Sequence, residues 1–175
     1  MANREALREL QSRLARRLQQ ARTEQRGTSW LAVECAGLGL LVPLPTAGEI
    51  FPVGTLLPVP HTQPWFLGVT NLRGGMHGVV DLAAFLGLRA PTAPDAMREG
   101  AQLLAFNAVQ GAHCAILIDR LSGLRSAAQL AALPDEGPAR PAFAAARWRD
   151  DAGRVWQEID LAALAHNEQF LAIAA

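Results

Sequence analysis

In the stretch MHGVVDL, His77 and Asp81 stand four residues apart, a spacing that puts both on one face of a strand. An imidazole and a carboxylate on one face could work as a general base and its orienting acid, or as half of a metal site. That pair makes a small ligand-binding or hydrolytic β-barrel one reading of the chain. A metal centre needs three or four convergent ligands, and His61, His113 and His166 are scattered. Hydrogen-bonded or surface histidines explain the pattern with fewer demands. Asp119 closes the apolar run AILID and reads as a strand-end carboxylate paired with Arg120 or a loop N–H. Cys35 and Cys114 sit in apolar, strand-like surroundings and read as small buried hydrophobes. Trp30, Trp65, Trp148 and Trp156 each begin or lie in a strand, where core or interface packing is the default. There is no nucleophile elbow, phosphate loop or paired Cys-x-x-Cys, and Gly37-Leu-Gly39 is an isolated fragment. No catalytic residue, metal or cofactor is expected.

The composition agrees with a binding module. Half of the 175 residues are hydrophobic, enough for one full domain with a core. The formal net charge is zero, which argues against nucleic acid as a partner. The first 28 residues are charged and carry no signal-peptide core. No apolar run approaches the ~20 residues that span a bilayer. A cytoplasmic protein without membrane insertion is the expectation.

The elements that must position these residues fall into two parts. Residues 1–28 form an N-terminal helical extension, in which residues 4–25 have helix spacing, with Leu7, Leu10, Leu14, Leu18 and Ala21 on one stripe among arginines. Residues 29–175 read as short strands broken by Gly and Pro, in halves 29–90 and 101–175 joined by a linker at 91–100. DLAA occurs at residues 81–84 and again at 160–163, each time after a strand. With the parallel order of elements, this suggests two similar β-rich halves. Many short strands with Gly/Pro turns predict a mainly β barrel or sandwich, and the absence of long intervening helices argues against parallel βαβ units.

Residues 65–87, WFLGVTNLRGGMHGVVDLAAFLG, resemble the signature of CheW-like domains, the coupling module of bacterial chemotaxis systems. The match is ungapped. GEIFPV upstream and AILIDRLSGL downstream extend it over residues 30–165. The resemblance implies two five-stranded β-barrels packed around a shared core. It implies a non-enzymatic adaptor that bridges the cytoplasmic tip of a methyl-accepting receptor and the regulatory domain of a CheA-type histidine kinase. The leading helix and the closing LAALAHNEQFLAIAA look like the PilI branch, which serves type IV pili and twitching motility. The implied receptor- and kinase-binding residues are Ala47, Glu49, Ile50, Gly68, Asn71, Arg73 and Gly74. Gly74 and Gly75 are expected to turn the chain so that Arg73 is exposed, with Glu49 close by, as a polar rim on an apolar groove. Three positions depart from the pattern. Gly78 stands where the family usually has proline, Cys114 where it often has glycine, and Ala47 where it tends to have valine.

Overall fold

The structure, a computed structural model, describes residues 29–91, 100–135 and 139–175. The helix expected over 1–28 and most of the expected linker lie outside these residues. Eleven strands are present among those described: β1 Ser29–Cys35, β2 Leu38–Pro43, β3 Ala47–Pro52, β4 Phe66–Leu72, β5 Gly75–Asp81, β6 Gln102–Phe106, β7 Cys114–Ile118, β8 Arg120–Ser126, β9 Leu130–Ala132, β10 Ala144–Asp150 and β11 Val155–Ile159. Two short α-helices follow strands, α1 Leu82–Phe85 after β5 and α2 Leu161–Ala165 after β11, and α3 Glu168–Leu171 follows α2.

The strands form two mixed sheets. The first has the order β8-β1-β2-β11-β10-β9 and the second β3-β6-β7-β5-β4. Only β2·β11 and β5·β7 run parallel. The mainly β class holds. The first sheet has six strands rather than five, because the SGLRSAAQL region adds the edge strand β8 and then the short β9.

The central strands read as nearly continuous apolar runs because both of their faces are buried. In β1, Leu31, Val33 and Cys35 face a shared core while Trp30 and Ala32 face a separate cluster with Leu41 and Trp156. In β6 and β7 the alternation repeats. Leu104, Phe106, Ile116 and Ile118 enter the shared core, while Leu103, Ala105, Ala115 and Leu117 build a second satellite cluster. One core therefore lies between the sheets, and each sheet keeps a smaller core on its far side.

Each half of the sequence supplies both sheets. The first half sends β1 and β2 to the first sheet and β3–β5 to the second. The second half sends β6 and β7 to the second sheet and its remaining strands to the first. The DLAA echo marks equivalent places in this exchange. Asp81 caps α1 by accepting from the Ala84 N–H, and Asp160 caps α2 by accepting from Ala162 and Ala163 N–H.

Candidate docking groove

The β4–β5 hairpin turns on two residues, because Leu72 pairs with Gly75. Arg73 has φ +50° and Gly74 φ +83°, so both central residues are left-handed, as a type I′ turn requires. The Asn71 Oδ1 accepts from the Gly74 N–H at 2.8 Å and holds the turn. This corrects the sequence expectation by one position: Gly75 is not left-handed, and the arginine itself occupies the strained place. A side chain there costs about 1 kcal/mol, where Asn or Gly would be at ease.

Glu49 comes from edge strand β3, whose pairing with β6 is irregular between Ala47 and Ile50. Such a bulge re-aims side chains, and Glu49 points outward. Gly48 lets β3 approach β6 there, since a Cβ would lie 2.6 Å from the Ala105 carbonyl oxygen. The Arg73 Nε then meets the Glu49 Oε2 at 2.8 Å, with 75% and 52% of the side chains exposed. An ion pair this exposed contributes only about 0–1 kcal/mol to stability.

Beneath the pair lies a groove of about 500 Å³. Ala47, Phe51, Leu72 and Phe106 supply apolar surface, and Glu49, Arg73, His77 and Asn107 supply polar surface. The structure thus brings Ala47, Glu49 and Arg73 together at one opening. Asn71 and Gly74 build the turn and do not line the groove. Ile50 packs against the shared core. Gly68 (φ +122°) is buried, and a Cβ there would lie 2.3 Å from the Leu57 carbonyl oxygen. Its lack of a side chain lets Leu57 pair with Val69 on β4 through two hydrogen bonds of 2.8 and 2.9 Å. Phe51, Leu72, Phe106 and Asn107 were not anticipated as lining residues. Their signal in the sequence is that of ordinary strand residues.

His77 and Asp81 do not form a site. His77 lines the groove with its Nδ1 3.0 Å from the Gly75 carbonyl oxygen, and its ring meets His113 edge-on at 5.5 Å between centroids. Asp81, four residues or about 13 Å further along the strand, is fully buried. Its carboxylate accepts from Arg89 Nη2 at 2.9 Å and Nε at 3.3 Å. Arg89 also donates to Asp119 at 2.6 Å, and Asp119 accepts from the Ala36 N–H at 2.6 Å. The loop N–H partner expected for Asp119 is present, whereas Arg120 instead donates to Glu34 at 2.9 and 3.0 Å. Both cysteines are free, and burial pushes each thiol up to about 12.

With this geometry in place, comparison with known proteins decides the family. The CheW-like domain family matches residues 29–169. The chain belongs to the CheW-like family. Among solved structures, the scaffolding protein TtCheW from Thermoanaerobacter tengcongensis is similar in fold, with a TM-score of 0.63 at 15% identity, covering 76% of this chain and 88% of that one. No curated protein matches. Membership makes this a non-enzymatic domain of the chemosensory scaffolding type. No helix among the described residues is long and apolar enough to cross a membrane.

Two of the family departures prove to be neighbours. Gly78 on β5 pairs directly with Cys114 on β7, and the Gly78 N–H donates to the His113 carbonyl at 3.0 Å. A proline at 78 would lose that hydrogen bond. Bulk absent from one strand at this pair is present on the other.

Proposed function

We propose that this CheW-like protein couples the cytoplasmic tip of a methyl-accepting receptor to the regulatory domain of a CheA-type histidine kinase, in the cytoplasm, through the Glu49–Arg73 groove. The observation that carries this reading is the strained turn. An arginine held left-handed beside an apolar groove costs stability and gains almost none from its exposed ion pair. Such a cost fits a side chain kept for a partner, and arginine over apolar surface is the composition of a binding hot spot. Ala47 leaves the apolar contact at the groove mouth smaller than the family's usual valine would. Asn71 and Gly74 serve the site by fixing the turn, and Ile50 and Gly68 by fixing the strands beneath it.

The assignment to the PilI branch rests on the charged leading segment and the closing LAALAHNEQFLAIAA. It makes the output twitching motility driven by type IV pili. Calorimetry of the full chain against a receptor-tip fragment and against a kinase regulatory domain tests the adaptor reading. Saturable binding to both is expected, and binding to neither overturns it. Expression in a strain lacking its pilus-system coupling protein tests the branch: twitching should return. Restored swimming in a flagellar coupling mutant, with no effect on twitching, would reassign it.

A further inference from the structure

The four histidines of the chain, His61, His77, His113 and His166, are scattered in sequence, but strand pairing brings two of them together. β5 and β7 run parallel with Gly78 opposite Cys114, so His77 and His113 stand opposite each other one residue earlier. The Gly78 N–H donates to the His113 carbonyl at 3.0 Å and extends the ladder to that point. The two rings lie 5.5 Å apart between centroids, with 74° between their planes. Two residues further along each strand, Val79 and Ala115 share their face and belong to the second sheet's satellite cluster. Cys114 packs toward the shared core instead and takes no part.

The His77 ring is held as a metal ligand is held. Its Nδ1 lies 3.0 Å from the Gly75 carbonyl oxygen. A carbonyl only accepts, so Nδ1 carries the ring proton and Nε2 of the neutral imidazole keeps its lone pair. The same kind of bond orients histidines that bind metal ions. His113 is exposed and its ring makes no hydrogen bond among the described residues. Its χ2 is a broad torsion, so the ring can turn a nitrogen toward His77. The spacing suits one shared ion. A zinc–nitrogen bond of about 2.0–2.1 Å puts each ring centre about 3.2 Å from the ion, and a tetrahedral angle then separates the centres by about 5.2 Å. His77 lines the groove below Arg73, where Glu49 offsets the arginine's charge, so no net positive charge opposes a cation. Among the described residues, no third His, Cys, Asp or Glu completes a cluster. Two protein ligands leave the remaining positions to water, which makes an open, exchangeable site rather than a structural centre.

We propose that His77 and His113 together bind one divalent transition-metal ion of the class that imidazole favours, with water completing its shell. Zn²⁺, Cu²⁺ and Ni²⁺ belong to that class, whereas Mg²⁺ and Ca²⁺ prefer oxygen ligands and are not accepted. The site stands on strand pairing and ring geometry and does not depend on partners docking at the groove.

The test is a titration of the untagged full chain with zinc chloride, followed by calorimetry and by the Cε1–H signals of the four histidines in the NMR spectrum. A single equivalent of Zn²⁺ should bind, with saturable shifts confined to two of the four signals. His113→Gln removes an exposed ligand and should weaken binding by at least about tenfold, since even an outer partner of a metal ligand is worth that much. His77→Gln should do the same. The spectrum of each variant away from the substitution reports that the fold is intact. His166→Gln, an exposed histidine elsewhere, should leave the affinity unchanged. Magnesium chloride at the same concentration should move none of the signals. Three results would overturn the proposal: no saturable zinc binding, the same affinity in His113→Gln, or an equal response to magnesium.

Discussion

Arg73 carries two opposing effects that can be separated by substitution. Its left-handed backbone costs about 1 kcal/mol, and its exposed pair with Glu49 gives back a few tenths. Arg73→Asn places the residue that a type I′ turn prefers before glycine. The variant should melt at or above the parent temperature in a thermal scan, and a clear fall would show that the ion pair is structural. Glu34 makes a different statement about stability. Arg120 first, then Arg154 and Ser122, hold its carboxyl at about 2 against an ordinary 4.5. A depressed folded-state value means the stabilisation is fully present above about pH 4.5 and is lost as pH falls toward 2. Glu34→Gln should therefore be less stable than the parent at pH 7, with the gap closing under acid unfolding near pH 2. A gap constant down to pH 2 would refute the role given to that carboxylate. The cysteine thiols, pushed up to about 12 by burial, remain protonated at neutral pH and should resist thiol reagents in the native protein.

Arg89 joins elements that are distant in sequence. It follows α1, and its guanidinium ties the end of β5 through Asp81 to the end of β7 through Asp119, which in turn holds the β1–β2 turn at Ala36. Arg89→Ala would leave Asp81 charged and fully buried without its cation. Such a loss costs about 3–5 kcal/mol, read as a drop in denaturant midpoint. Adding Asp81→Asn should recover part of it. A midpoint within error of the parent would mean that the clamp carries no weight. The element level is also where the sequence was most legible. The strands follow from apolar runs broken by glycine and proline, and the two short helices after DLAA from that repeat, because those signals are local. Arg89 left no such signal, since its role depends on two carboxylates, one of them thirty residues away. The position of the β4–β5 turn was displaced by one residue because two glycines follow Arg73, and glycine is the usual occupant of left-handed backbone. Register decided otherwise: Leu72 must face the second sheet's satellite core, and that puts Arg73 in the turn.

At the scale of the molecule, neither half of the chain contains a whole sheet. The internal echo pointed to two similar halves, and the halves are indeed alike in strand order, but they trade strands, so sheets and sequence halves do not coincide. Period-two patterns report which residues are buried, not which strand lies beside which, so this exchange could not be read from the sequence. The Glu49–Arg73 contact was legible only through the family motif, because 24 positions separate the two residues and nothing local connects them. The apolar lining from Phe51, Leu72 and Phe106 was hidden for the same reason. The Glu49–Arg73 groove is proposed as the place where partners dock. It is tested most directly by calorimetry of the parent chain, Arg73→Asn, Glu49→Ala and the double variant against the receptor-tip fragment and the kinase regulatory domain. For at least one partner, Arg73→Asn should cost about 2 kcal/mol, roughly thirtyfold in Kd. The double variant should lose less than the sum of the singles, because the two side chains touch. Unchanged affinity for both partners, with normal melts throughout, would contradict the claim.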